Sequence, residues 1–433
     1  MNVLVIGGGG REHAIVRGLV QSADVDRVFC APGNAGTAAL AENVTLDVGD
    51  HAGLVRLAKE RSVGLTIVGP EAPLCAGIVD RFQAEGLRIF GPTAAAARIE
   101  GDKAYAKKLM KHAHVPTAEA RIFHRFGDAK AYVATRDTGI VVKAAGLAAG
   151  KGVFVCEDPA DAILALERTM VQHEFGEAGA TVVVEEILKG QELSIHALVD
   201  DRTIYVLESA QDHKAVGDGD TGPNTGGMGA YSPAPIATPE VYAVVERDIL
   251  VPIVDALRSD GAPYRGVLYV GLMLTAGGPK VLEFNCRFGD PETQVLLTRL
   301  ESDLLQVFEA VVDGRLDQLD LRWKPQSAVC VVLASRGYPG KYETGKVIEG
   351  LGDAASLPDV FVFHSGTKQV EHLTVSSGGR VLAVTALGEG LAEAQRRAYA
   401  AVRRIHFDNA YFRSDIADKA LLADSTRARV SEP

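Results

Sequence analysis

Cysteine is scarce in this chain of 433 residues: Cys30, Cys75, Cys156, Cys286 and Cys330 stand far apart and form no C-x-x-C pair. That excludes a zinc knuckle and a disulfide framework, and reduced thiols in a cytoplasmic protein are expected. Long apolar runs are missing too. No stretch approaches the roughly eighteen residues of a membrane span, and Met1 to Ile6 is too short, with no cationic lead, for a secretory signal. Basic residues do not dominate: 45 Lys and Arg face 56 Asp and Glu, a net charge of −11. Neither nucleic acid nor an anionic membrane is therefore expected as a partner, and any phosphate must be met by locally placed cations. No repeat or low-complexity tract is present, and only the tail from about Ala423 is expected to fray.

Two nucleotide-binding signatures are also lacking. Val3 to Ile6 is a short β-branched run closed by Gly7-Gly8-Gly9-Gly10 and followed by a helical pattern over Arg11 to Val20. A dinucleotide fingerprint fails on register, because Glu12 or His13 stands where its last glycine belongs, and no acidic residue closes the second strand. The helix N-terminus with Arg11 and His13 remains a seat for one phosphate, or a plain tight turn. Later, Gly146-Leu147-Ala148-Ala149-Gly150-Lys151-Gly152 lies between the β-runs Ile140 to Lys143 and Val153 to Val155. Its spacing is one short of a Walker A loop, Gly152 replaces the hydroxyl, and a strand follows instead of a helix.

What is present is a hydrophobic fraction of 47 %, enough to bury a core in each of about three or four lobes. Strand–glycine–helix units recur at Val25–Gly36, Leu65–Glu71 and Arg88–Thr93, which predicts a parallel α/β domain over residues 1–101 with its glycine turns along one crevice. Thr93 is expected to cap one helix running to about Ala113, with Lys103, Lys107, Lys108 and Lys111 mostly on a solvated face. A central region, 102–325, follows, with a flap part at about 121–189 and a catalytic part at about 190–325. The glycine-rich hairpin around Lys151 fits a flap closing over a triphosphate, with Lys143 reaching in from below; such a loop is also found as a mere hairpin. Strands are expected at Val182–Val184, ending in Glu185-Glu186, and at Leu193–Val199 and Ile204–Leu207. Asp212-His213-Lys214 then opens a stretch in which eight of the thirteen residues 217–229 are Gly, Pro or Asn, a loop rich in backbone N–H donors. Residues 326–433 read as a small α+β domain with a helix over Glu389–Ile405. Its turns at Gly337–Gly340 and His364–Thr367 are expected to face the same site.

The densest polar stretch is Lys280 to Thr293, K-V-L-E-F-N-C-R-F-G-D-P-E-T. Gly266 to Thr275 and Val281 to Phe284 read as a hairpin. Period two places Glu283, Asn285 and Arg287 on one face, with Leu282, Phe284 and Cys286 on the other. A carboxylate and an amide oxygen two residues apart suit Mg²⁺ or Mn²⁺, and Arg287 an anion; alone, the pattern also fits a half-buried strand end. A helix is expected from Pro291 to about Val312.

The order of G-G-G-G-R-E-H (7–13), G-P-E-A-P-L (69–74), G-L-A-A-G-K-G (146–152), D-H-K (212–214), G-P-N-T-G-G-M-G-A-Y-S-P (222–233) and N-C-R-F-G-D-P-E-T (285–293) resembles the phosphoribosylamine glycine ligase family of the ATP-grasp superfamily. The resemblance spans nearly the whole chain. It implies a multidomain α/β and α+β enzyme that joins glycine to 5-phosphoribosylamine through glycyl phosphate, with ATP and Mg²⁺ or Mn²⁺; a monomer or small homo-oligomer is expected. It further implies that Lys103 and Lys143 hold ATP phosphates under the flap (Gly146, Gly150, Lys151, Gly152). Glu185, Glu186, Leu188 and Glu192 then receive adenine and ribose, and Glu283 and Asn285 the metal. Substrate contacts are expected at Gly9, Arg11, Glu12, His13, Pro70, Glu71, Asn224, Thr225, Gly226 and Asp290. Arg287 and Asp212 are expected to take the two charged ends of glycine. Ala145 and Gln191 depart from the family's pattern, where many relatives have Asp and Glu. Another carboxylate–amine ligase, a biotin carboxylase, or a non-enzymatic nucleotide sensor are the competing readings; intact Glu283, Asn285, Arg287 and the two lysines argue against the sensor.

Overall fold

The computed structural model describes residues 1–148 and 150–422; the tail from Ala423 and Ala149 in the glycine-rich hairpin lie outside the described residues. Strands Asn2–Gly7, Arg27–Pro32, Glu42–Asn43, Val63–Val68 and Ile89–Phe90 form one parallel sheet in the order third, second, first, fourth, fifth. Val3 to Ile6 are fully buried, as expected for a strand covered by helices on both faces. The two-residue strand Glu42–Asn43 was not foreseen, because so short a polar segment carries no periodicity.

Two antiparallel sheets of four strands make up the centre. One orders Ala120–Phe123, Val182–Glu186, Ile140–Ala144 and Val153–Cys156; the other orders Ile204–Val206, Gln191–Asp200, Arg265–Thr275 and Gly278–Asn285. The glycine-rich hairpin is the turn between the last two strands of the first sheet. A third sheet orders Gln211–Asp212, Gly229–Ser232, Ser327–Ser335, Arg380–Gly388 and Val360–His364, with Ala410–Tyr411 also paired to Ser327–Ser335. Helix Leu391–Val402 covers it with Leu391, Ala394, Ala398 and Ala401. The sheet of the C-terminal segment thus takes strands from both ends of the glycine-rich stretch after Asp212. That stretch is less loop-like than expected: Ala215–Gly217 and Thr221–Asn224 pair as a small hairpin.

Three local expectations are corrected. The helix after Thr93 is two helices, Ala94–Gly101 and Lys103–His112, because the Asp102 carboxylate accepts from Tyr105 N at 3.0 Å and starts the second; a side-chain cap takes over where backbone donors lose their partners. The helix after Pro291 is likewise Glu292–Arg299 and Leu304–Asp313, the second capped by Asp303. Within the hairpin, Gly271 pairs with Glu283 but Leu272 with Val281, so Leu282 is an extra residue. This β-bulge breaks strict alternation. Val281 and Phe284 are buried in the core, and Leu282 lines the cleft on the same side as Glu283.

Candidate functional site

A cleft of about 500 Å³ opens between the three sheets and the N-terminal domain. Apolar residues Val141, Leu188, Met273 and Leu282 line one part of it, and charged side chains the rest. The bulge has a direct consequence there, since Lys143 Nζ donates to the Leu282 carbonyl at 3.2 Å. Lys143 also pairs with Glu185 Oε2 at 2.9 Å, and Lys107 meets Glu185 Oε1 at 3.1 Å. Lys107 was expected on a solvated face. It is instead 8 % exposed and donates to Thr117 Oγ1 at 2.7 Å, because the strand carrying Glu185 packs over its helix. Burial lowers the pKa of Lys107 and of Lys103, the nearby carboxylates acting in the opposite direction. Lys103 Nζ donates to the Gly146 carbonyl at 3.1 Å. Glu185 is therefore the shared counter-ion of two lysines, whereas Glu186, Leu188 and Glu192 border the cleft.

A second cluster surrounds Lys214, whose Nζ lies 3.3 Å from Glu192 Oε2 and 3.4 Å from Glu283 Oε1. Burial tends to raise the Glu283 pKa, but Lys214, Lys143 and Lys103 hold it at about 2. Asn285 fits its surroundings with its amide nitrogen donating to Glu100 Oε1 at 3.0 Å and Phe284 O at 3.1 Å, which leaves its oxygen for another partner. A carboxylate with so low a pKa and an amide oxygen are donors suited to a hard divalent cation. Among the described residues no group of three His, Cys, Asp or Glu is placed to hold a metal, so phosphate oxygens and water must complete any such shell.

Arg287 lies between two acids, with Nε 3.1 Å from Glu71 Oε2 and Nη2 2.9 Å from Glu100 Oε1. Burial opposes ionisation of Glu71, yet Arg287 and Arg11 keep its carboxyl at about 2. Asp212 contrasts with these paired acids. It is buried, and its Oδ1 has no hydrogen-bond partner among the described residues. Burial and the neighbouring Glu292 push its pKa well above the usual carboxylate range. Gly227, at φ +108°, closes over it: a Cβ there would lie 2.7 Å from Asp212 Oδ1 and 2.5 Å from Pro291. Only glycine accepts both the backbone angle and the approach.

Most expected residues thus share one cleft: Lys103, Lys143, Gly150, Gly152, Glu185, Glu186, Leu188, Glu192, Arg11, Pro70, Glu71, Asp212, Asn224, Thr225, Gly226, Glu283, Asn285, Arg287 and Asp290 all line it. Gly9, Glu12, His13, Gly146 and Lys151 are not among its lining residues. Glu12 instead folds back on the glycine turn, accepting from Gly9 N and Arg11 Nε, each at 2.6 Å. The first-turn donors foreseen as a phosphate seat are in part occupied by this carboxylate. His13 is buried and accepts from His364 N at 2.8 Å, and burial lowers its pKa to about 3. The turn near Gly337 also reaches across, with the Tyr338 hydroxyl accepting from Gly226 N at 3.0 Å. Lining residues not assigned from sequence include Glu100, Lys107, Lys214, Tyr269, Glu292 and Arg380. Lys214 and Glu292 stood inside conspicuous motifs; Arg380 had no local signal.

Three family models match the chain: Phosphoribosylglycinamide synthetase, N domain over residues 1–100, its ATP-grasp (A) domain over 101–293 and its C domain over 328–419. A phosphoribosylamine–glycine ligase of Rhodopirellula baltica is 52 % identical over 428 residues, 97 % of this chain and 98 % of its own. One from Xanthomonas axonopodis is 52 % identical over 425 residues, again 97 % and 98 %. Among solved structures, the phosphoribosylamine–glycine ligase of Thermotoga maritima superposes with a TM-score of 0.82 at 32 % identity, covering 96 % of this chain and 100 % of that one. A biotin carboxylase from Campylobacter jejuni shares the fold at 13 % identity, with a TM-score of 0.72 over 95 % of this chain and 92 % of that one. With all three models and such relatives aligned end to end, the chain belongs to the phosphoribosylglycinamide synthetase family.

Proposed function

We propose that the protein joins glycine to 5-phosphoribosylamine at the expense of ATP, giving glycinamide ribonucleotide, ADP and phosphate, as the names of its relatives imply. The observation that carries the reading is the pairing, in one cleft, of a lysine-lined apolar slot with a buried, unpartnered Asp212 oxygen. A buried carboxylate with a raised pKa is ionised at neutral pH only when a cation sits beside it, and the ammonium of glycine is such a cation.

Lys103 and Lys143 hold the nucleotide phosphates under the glycine-rich hairpin, with Gly150, Lys151 and Gly152 at its tip. Glu186, Leu188 and Glu192 receive adenine and ribose. Glu283 and the Asn285 amide oxygen hold Mg²⁺ or Mn²⁺, which when bound supplies charge neutralisation at the phosphates. Arg287 faces the carboxylate of glycine, and Asp212 its ammonium. A glycine carboxylate oxygen bonds to the γ-phosphorus and ADP leaves; the amine nitrogen then bonds to the glycyl carbon, the carbon–oxygen bond to the phosphoryl group breaks, and phosphate leaves while the nitrogen gives up one proton to it or to water. No protein nucleophile is required, only alignment and fixed charge. Pro70, Glu71, Asn224, Thr225, Gly226, Arg11 and Asp290 line the space left for the amine substrate.

We further read the chain as three domains, 1–101, 102–325 and 326–433, in a cytoplasmic enzyme that is a monomer or small homo-oligomer. Separate sheets support the first boundary, and the charge and cysteine pattern support the compartment. The test is ADP release with glycine, ATP and phosphoribosylamine, each omitted in turn, beside a panel of other acids and amines and bicarbonate. ADP formation strictly dependent on all three substrates is expected; equal or faster turnover with another acid or with bicarbonate would sink the assignment.

A further inference from the structure

The cations of the cleft differ in how far protein carboxylates already neutralise them. Arg287 has two acids near 3 Å, Arg11 has Glu12 at 2.6 Å, Lys107 and Lys143 share Glu185, and Lys214 sits between Glu192 and Glu283. Two cations have no carboxylate oxygen within 3.4 Å among the described residues. Lys103 has no carboxylate within 4 Å among the described residues, and its place beside the hairpin assigns it to the nucleotide. The other is Arg380, at the start of strand Arg380–Gly388 in the C-terminal sheet.

The Arg380 side chain is 20 % exposed, and its nearest acid, Asp290 Oδ2, is 3.5 Å from Nη2. Its remaining contacts are carbonyl oxygens, all on Nη1: Gly226 O at 2.5 Å, Asp290 O at 2.6 Å and Gly227 O at 3.4 Å. A guanidinium has five N–H donors in a fixed fork. One end is thus fully used to anchor the side chain, whereas Nε has no acceptor among the described residues and Nη2 has only the long contact. Nε and Nη2 form the side-on edge that meets two oxygens of one phosphate. The anchor makes that edge rigid, so little side-chain entropy is lost on binding.

We propose that Arg380 is the recognition residue for the phosphate of the amine substrate, contributed by the C-terminal sheet to a site otherwise built from the first two regions. The inference rests on the ligase reading, since it is that reaction which brings a second phosphorylated substrate into a cleft that already takes a nucleotide.

The experiment measures KM for each substrate in the full-length wild type, Arg380→Gln and Arg380→Lys, with thermal unfolding alongside. Loss of a charge-assisted contact predicts that Arg380→Gln raises KM for phosphoribosylamine about 10- to 100-fold. KM for ATP and glycine should stay within about twofold, and Arg380→Lys should fall between wild type and Gln. Ribose 5-phosphate and ribose serve as probes of binding: wild type should prefer the phosphorylated sugar by a similar factor, and Arg380→Gln should lose that preference. A purely structural clamp would loosen the Gly226–Gly227 loop over Asp212, so a rise in the glycine KM, or in all three together, overturns the proposal. So does equal affinity of wild type for the two sugars. Should Arg380→Gln fail to fold, the Lys variant decides by the same two readouts. If wild type itself shows no glycine- and amine-dependent ADP release, it is the ligase reading that has failed.

Discussion

Glu283 and Asp212 are both acids of one cleft whose pKa values are shifted in opposite directions, and the difference lies in their neighbours. Lys214, Lys143 and Lys103 lower the Glu283 pKa, whereas burial and the charge of Glu292 raise that of Asp212. Glu283→Gln and Asn285→Ala should each lower kcat about tenfold or more by weakening the charge neutralisation at the phosphates, with a raised Mg²⁺ requirement in titrations. Normal turnover at low Mg²⁺ in both would remove them as metal ligands. For Asp212 the expected effect is on one substrate: Asp212→Asn should raise KM for glycine strongly and leave KM for ATP nearly unchanged. Because the ionised form holds the ammonium and burial raises its pKa, glycine affinity should climb with pH through that titration and flatten in the Asn variant. A collapse of thermal stability with both KM values moving together would make Asp212 a structural group. Lys107 shows how a residue's role escapes its sequence position. Four lysines on one helix look alike until a strand more than seventy residues later brings Glu185 over one of them.

At the level of elements, the glycine-rich hairpin between Ile140–Ala144 and Val153–Cys156 has the properties of a closing flap. Leu147 and Val155 are exposed on it, Lys151 points to solvent, and its link to the rest of the site includes the Lys103–Gly146 hydrogen bond. Few buried apolar contacts mean a low local opening energy. Limited proteolysis should cut between Gly146 and Gly152, and an ATP analogue with Mg²⁺ should slow that cut several-fold, by about the factor that closure protects the backbone. Identical rates with and without nucleotide would argue that the hairpin does not close. The bulge at Leu282 is the other decisive element feature. One extra residue turns a leucine and its carbonyl into the cleft and gives Lys143 an acceptor, which a regular strand could not do.

Across the whole molecule, histidine burial sets an acid limit to stability. His13 and His196 are lowered to about 3, and His213 and His364 to about 4, each chiefly by burial. Unfolding restores an ordinary value near 6.5, so below that pH the unfolded chain binds more protons and stability falls as pH drops. The loss tends toward about 1.4 kcal/mol per pH unit for each histidine. Glu71 and Glu283, held at about 2, add to it in the same direction once pH falls below about 4.5. Thermal unfolding should therefore show Tm declining steadily from about pH 6.5 downward; a flat profile between pH 7.5 and 5 would mean these imidazoles are not buried neutral in solution.

Local sequence was sufficient for the parallel N-terminal sheet, for most strands and for the motif-bearing loops, because alternation, β-branching and glycine turns are properties of a few adjacent residues. It also carried the resemblance to the family and half of the residues that line the cleft. What it could not decide were features made by distant partners. Asp102 and Asp303 divided helices whose apolar pattern ran on, since a cap competes with the next turn only when the following helix has somewhere else to pack. Strands at 211–212 and 229–232 joined a sheet built from residues after 326, bringing Arg380 and Tyr338 to the Gly226 loop across more than a hundred residues. Whether Asp212 is paired, whether Lys107 is wet and which edge of Arg380 is free are set by what packs against them, and packing is a property of the fold rather than of any window of the chain.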